Sequence, residues 1–169
     1  NLHLAGLEHL GAKIRTTHGY VEAEAPGGLR GATVHFDRIT VTGTEDLLMA
    51  AVLAEGETVL ENAAREPEVV DLAALLAKMG AKIEGAGTST IRIQGVKRLR
   101  GCEHEIIADR IEAGTFVVAG AITRGDVLVT GCVPEHLRAL LAKLRQAGVE
   151  ISQPSPDSIR VKGAGRLTA

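Results

Sequence analysis

One pattern recurs along this chain, and it limits the fold more than any other feature does. Leu4-Ala5-Gly6-Leu7-Glu8-His9-Leu10-Gly11-Ala12-Lys13-Ile14 returns as Leu72-Ala73-Ala74-Leu75-Leu76-Ala77-Lys78-Met79-Gly80-Ala81-Lys82-Ile83, and more loosely between Leu137 and Ile151. Gly80 lies 69 residues after Gly11, and Gly148 lies 68 after Gly80. Leu29-Arg30-Gly31 likewise returns as Leu99-Arg100-Gly101. A fixed period means one supersecondary unit used repeatedly, each copy burying its apolar face against neighbours. This period is too long for the common helical solenoids, so the unit is a larger mixture of helices and strands. The expected class is α+β, in a single incomplete domain over 1–169. Its copies fall at about 1–37, 38–106 and 107–169.

The middle copy reads completely. Thr44 to Ala54 is apolar on every side, which predicts a buried helix. Glu57 to Ala63 alternates as a strand does. Pro67 between two glutamates opens a second helix: proline suits a first turn and acids suit the positive helix end. Val69, Leu72, Ala73, Leu76 and Met79 form its one apolar stripe, and Gly80 ends it. Strands follow at 81–84 and 90–94, and a further strand is expected over 103–108. The last copy repeats the plan, with a buried helix over 116–122, a strand over 126–130, a helix opened by Pro134 and a closing strand over 158–162. The first copy holds only a helix over 2–10 and strands near 13–16, 20–25 and 32–36. About two and a half of three units are therefore present.

Bulk composition narrows the function. A formal net charge of −2 supplies no basic face for nucleic acid, and 2% aromatic residues supply few stacking surfaces. No apolar run is long enough to span a bilayer. The opening residues lack the basic stretch and apolar core of a signal peptide, and Cys102 and Cys132 suggest no disulfide framework; both point to the cytoplasm.

Three segments carry candidate chemistry. Asp37-Arg38-Ile39-Thr40-Val41-Thr42-Gly43-Thr44 runs from a strand into the buried helix. Its backbone N–H groups, hydroxyls and Arg38 suit a phosphate, and capping by Thr42 or Thr44 explains the same residues without a ligand. The equivalent junction, Asp109-Arg110-Ile111-Glu112-Ala113-Gly114-Thr115, keeps Asp-Arg-Ile, so the triplet is also open to a bracing role. Asn62 to Glu68 places Arg65 and Glu66 at a strand-to-helix turn, where acid–base work and a solvated ion pair are the alternatives. Cys102 and His104 share one face of a strand, giving two converging ligands where a metal needs more. No metal site is expected.

With the repeat and these segments assembled, the chain resembles the bacterial UDP-N-acetylglucosamine enolpyruvyl transferase family. The likeness is carried by Asn1-Leu2-His3 with Gly6-Leu7 and Gly11-Ala12, by Thr40 to Glu45, by Glu61 to Glu68 and by Asp109 to Thr115. The resemblance implies an inside-out αβ barrel, an alpha-beta prism of βαβαββ units about a pseudo-threefold axis, with a second such domain in the parent enzyme. It implies transfer of the enolpyruvyl group of phosphoenolpyruvate to the 3-hydroxyl of UDP-N-acetylglucosamine, the first committed step of peptidoglycan synthesis, with no cofactor. It places substrate contacts on Asn1, Leu2, Arg38, Ile39, Thr40 and Val41, with Arg65 and Glu66 in support. Asn1 stands where the family usually has aspartate, and Arg38 where lysine is frequent. The family's catalytic cysteine lies upstream of the motif that Asn1-Leu2 finishes, so no catalytic residue is expected here and the piece alone should be inactive. The partners implied are the two substrates and the second repeat domain; a piece lacking half a unit should also self-associate. The competing readings are a non-catalytic structural or interaction domain with the same repeat, and a shikimate-pathway relative.

Overall fold

The computed structural model describes residues 2–163, 165, 167 and 168. The chain forms two compact units, Asn1–Ile106 and Ile107–Ala169. Each has its own hydrophobic core.

The first unit opens with helix α1 (Leu2–His9) and the antiparallel hairpin β1 (Lys13–Thr17) and β2 (Tyr20–Glu24). His18 and Gly19 form the hairpin turn, both at positive φ (52° and 82°), as a tight two-residue turn requires. Strand β3 (Thr33–His35), helix α2 (Val41–Ala51), strand β4 (Glu57–Glu61), helix α3 (Pro67–Lys78) and strands β5 (Lys82–Glu84) and β6 (Thr90–Gln94) follow. Their sheet runs β3-β4-β6-β5, with β3 parallel to β4 and the other pairs antiparallel. Leu47, Leu48, Leu60, Val69, Ile91 and Ile93 are wholly buried in its core. Each contributes about 1.5–3 kcal/mol of apolar transfer. Gly6 lets α1 approach α2, because a Cβ there would collide with the Leu47 side chain.

The second unit contains helix α4 (Arg110–Ile122), strand β7 (Asp126–Thr130), a 3-10 turn over Pro134–Leu137, helix α5 (Arg138–Gln146) and strands β8 (Glu150–Ser152) and β9 (Ser158–Lys162). Its sheet runs β7-β9-β8. The repeat is visible in the register. Glu57 faces Gln94 while Lys82 faces Gln94 from the other side; Asp126 and Glu150 face Lys162 in the same way. Both sheets pair five residues on one side of the central strand and three on the other.

Several expectations need correction. Residues 101–109 form no strand. His104 there bonds through Nε2 to Asp71 Oδ1 of α3 at 3.0 Å, and the amide of Arg100 donates to Met79 O at 2.9 Å, so the segment is tied to α3 and its C-cap and not to a ladder. The helices taken as greasy all round are buried on one face only. Met49 and Leu53 are exposed beside Leu48, and Ile111, Phe116 (55% exposed) and Ile122 are exposed on α4. Helix α4 also starts six residues before Phe116, because Asp109 caps it. Pro134 opens a 3-10 turn, and the α-helical geometry begins only at Arg138.

Candidate nucleotide-binding site

Two loops of the first unit come together at the start of α2. Thr40 is the N-cap, in an extended conformation, and its Oγ1 accepts the amide of Gly43 at 3.2 Å. Three threonines offer a hydroxyl within five residues; the cap falls on Thr40 and not on Thr42 or Thr44. The first two amides of α2, those of Val41 and Thr42, have no acceptor one turn back, which is the ordinary condition of a helix start. Gly43 is buried, and a Cβ there would press on Thr40 Cγ2 at 2.5 Å, so glycine keeps the turn closed.

Thr44 is wholly buried and performs a different task. Its hydroxyl donates to Thr40 O at 2.7 Å and accepts the amide of Ala64 at 3.0 Å. Asn62, at φ +56°, donates from Nδ2 to Phe36 O at 2.7 Å. These two bonds fasten the Asn62–Glu68 turn against the 36–44 loop. Arg65 lies exposed on that turn, its amide held by Glu66 Oε2 at 2.8 Å, and Pro67 then starts α3.

Placement of the expected residues is as follows. Asp37, Arg38 and Ile39 are exposed on the loop ahead of α2, with Ile39 57% exposed. Thr40 and Val41 are half-buried at the helix start. Leu2 begins α1, half-buried, and Asn1 lies outside the described residues. The neighbour of Leu2 reaches the site directly: His3 Nδ1 pairs with Asp46 Oδ2, and His3 Nε2 lies 3.4 Å from Thr42 Oγ1. This cluster has no signature in the sequence, because no local pattern joins positions 43 residues apart. Around it the charge is acidic. Partial burial lifts the Glu45 carboxyl above the ordinary glutamate range, and Glu68, Asp46 and Glu66 push it the same way.

The two Asp-Arg-Ile triplets are used differently. Asp109 caps α4, accepting the amides of Ile111 at 2.7 Å and Glu112 at 3.1 Å. In the earlier copy Thr40 has taken the capping task three residues later, which leaves Asp37-Arg38-Ile39 outside the helix and open to solvent. Neither cysteine is arranged as a nucleophile. Cys102 is exposed, with Sγ 3.9 Å from Leu75 O, while burial pushes the Cys132 thiol above the usual cysteine range. A cleft of about 490 Å³ in the second unit, lined by Ile111, Thr115, His136 and Leu140 among others, contains none of the expected site residues.

The EPSP synthase (3-phosphoshikimate 1-carboxyvinyltransferase) family model matches residues 1–168. The chain belongs to this family. Within the enolpyruvyl transferases it is 75% identical, over 99% of its length, to a UDP-N-acetylglucosamine 1-carboxyvinyltransferase of Solibacter usitatus, covering 40% of that relative. It is 66% identical over 99% of its length to one of Acidobacterium capsulatum, covering 38% of it. The chain thus spans about two fifths of the curated relatives it matches. Among solved structures it is similar to the enolpyruvyl transferase NikO of Streptomyces tendae. That match has a TM-score of 0.84 at 23% identity and covers 97% of this chain and 42% of the other. Such a likeness establishes an enolpyruvyl-transferase fold of mixed helices and strands. No helix of the described residues is long and apolar enough to cross a membrane.

Proposed function

We propose that this chain supplies the nucleotide-binding part of an enzyme that moves the enolpyruvyl group of phosphoenolpyruvate onto the 3-hydroxyl of UDP-N-acetylglucosamine. The observation that carries the reading is the Arg38–Val41 segment. Arg38 and Ile39 stand exposed ahead of the cap, Thr40 and Val41 start α2 half-buried, and the Asn62–Glu68 turn backs them. An exposed guanidinium beside free helix amides is suited to a diphosphate. Both quoted relatives carry the UDP-sugar name, which favours this substrate over shikimate phosphate. Asn1 and Leu2 complete the nucleotide contacts in this reading, and Arg65 and Glu66 support the reacting groups.

The parent enzyme would work in the cytoplasm, at the first committed step of peptidoglycan synthesis, with a second repeat domain closing over the substrates. The reaction needs an acid to protonate the enol carbon and a base for the sugar hydroxyl. We assign neither role to a residue of this chain, so phosphate release from phosphoenolpyruvate plus UDP-N-acetylglucosamine should stay at background. Taken alone, the chain should also self-associate through the apolar side chains exposed on α4. Titration calorimetry tests the central claim: UDP-N-acetylglucosamine should bind, Arg38→Ala should abolish the heat, and shikimate 3-phosphate should give none. Equal affinity for the two ligands would overturn the assignment.

A further inference from the structure

Each copy of the repeat ties the end of its amphipathic helix to a later stretch of chain by one backbone bond. The amide of Arg30 donates to Leu10 O at 2.8 Å, that of Arg100 to Met79 O at 2.9 Å and that of Thr168 to Ala147 O at 3.2 Å. The middle copy alone loads this tie with charge. It approaches the bond as Lys97-Arg98-Leu99-Arg100, where the first copy has Gly27-Gly28-Leu29-Arg30. The first copy makes the same bond, so the bond does not require Lys97 or Arg98. Helix α3 does not require them as a cap either. Leu75 O, Leu76 O and Ala77 O already accept the amides of Met79, Ala81 and Gly80 at 3.0, 2.9 and 2.9 Å, and Lys78 supplies a cation to the last turn.

Lys97, Arg98 and Arg100 are exposed, and Leu99 between the two arginines is half-buried against the core of the first unit. Among the described residues, none of the three cations enters an ion pair. The amides of Lys97, Arg98 and Leu99 donate to no backbone carbonyl. Arg98, Leu99 and Arg100 line a cleft of about 540 Å³ together with Met79 and Gly80. From Lys78 to Arg100 the sequence has six cations and one acid, Glu84, in a chain whose net charge is −2.

We propose that this cleft is a docking site for an extended acidic segment of a partner protein, one that has carboxylates on alternate residues. The alternation of exposure puts Arg98 and Arg100 on one side of their segment, about 7 Å apart along it. Alternate side chains of an extended peptide have the same spacing, so each of two carboxylates meets one guanidinium fork. The unpaired amides of 97–99 add main-chain bonds to the peptide, as in strand addition to an edge. Single-stranded nucleic acid suits the cleft less well, because no aromatic side chain lines it for a base to stack on. A second copy of this chain is also a poor fit. Its own alternating acids, Glu22 and Glu24, already lie opposite Arg15 and Lys13 across the β1–β2 pair.

The test uses the full chain and two fluorescein-labelled peptides of one composition, GTETETG with alternating glutamates and GTTEETG with adjacent ones. Fluorescence anisotropy at low salt measures their binding. The alternating peptide should bind about threefold or more tighter than its isomer, and added salt should weaken it. Arg98→Ala and Arg100→Ala should each weaken it about two- to fivefold, the range of one exposed ion pair, and the double variant should remove binding. Arg30→Ala, at the matching position of the first copy, should change nothing. These side chains are exposed, so circular dichroism of every variant should match the parent chain. Equal binding of the two peptides would overturn the proposal, since a diffuse positive field would then suffice. Tighter binding of an oligothymidylate, or displacement of the peptide by inorganic phosphate at equal concentration, would overturn it in favour of those ligands. Light scattering that shows dimers of the parent chain lost in Arg98→Ala would assign the cleft to a second copy instead. Arg38 takes no part in these readouts, so they stand or fall apart from the nucleotide reading.

Discussion

The hydroxyl of Thr44 accepts the amide of Ala64 at 3.0 Å, inside the core of the first unit. That bond ties the start of α2 to the Asn62–Glu68 turn, and both ends of it are fully buried. Replacing Thr44 by Val keeps the shape and strands the Ala64 amide without a partner. A buried orphan donor costs about 1–3 kcal/mol. Thr44→Ser, which keeps the hydroxyl, should recover most of the loss. Urea unfolding followed by circular dichroism checks the pair. Destabilisation by Ser with none by Val would mean that the methyl packing, and not the bond, is what matters.

Leu48 tests the buried face of α2. It is wholly inaccessible, while Met49 next to it is exposed. Leu48→Ala should cost about 2–5 kcal/mol by loss of transfer energy and by leaving a cavity. Met49→Ala should cost well under half of that. Leu48→Asp should prevent cooperative folding of the first unit, because an unpaired charge in this core has no compensation. Comparable effects at positions 48 and 49 in thermal melts would show that the exposed side of α2 is covered in solution.

Glu45 gives a pH dependence of defined sign. Its folded-state carboxyl is held above the ordinary value, first by burial and then by Glu68, Asp46 and Glu66. A raised acid contributes its stability below the unfolded value, about 4.3, and loses it as pH rises through the folded one. Glu45→Gln, which cannot ionise, should therefore gain on the parent chain as pH climbs from about 4 to 7. Midpoints of urea unfolding at several pH values measure this. A gap that stays constant with pH would remove the electrostatic account of the acidic cluster.

What the sequence revealed and what it concealed divide along the range of the interactions. The 68-residue spacing of Gly80 and Gly148 is visible in one dimension, and the matched registers of β4-β6-β5 and β7-β9-β8 are its physical cause. The expected strand over 103–108 had the right local pattern but found no ladder, since strand formation depends on a neighbour that alternation cannot reveal. The choice of Thr40 over Thr42 as cap was hidden for a similar reason: each is a good capping residue, and only the packing of Gly43 and Thr44 decides. The pairing of His3 with Asp46 has no local signal at all. Arg38 to Val41 were legible as a strand-to-helix junction; their contact with a nucleotide is what the calorimetry must establish.

The ion pair between Arg160 and Asp126 provides a last prediction, in the second unit. Two hydrogen bonds from the guanidinium hold the Asp126 carboxyl below the ordinary aspartate range, and the positive charges of Arg160 and Lys162 add to this. A depressed acid contributes stability above its unfolded value, about 3.9, and loses it as pH falls through the lower folded one. Asp126→Asn should thus be less stable than the parent chain at neutral pH, with the gap closing as pH drops below about 4. The pair is half exposed, so salt should shrink the neutral-pH gap as well. Thermal unfolding of both proteins across pH and salt measures the two effects together. A gap that survives at pH 2 would show that the asparagine disturbs the β7–β9 ladder itself, and that the charge on Asp126 is incidental to it.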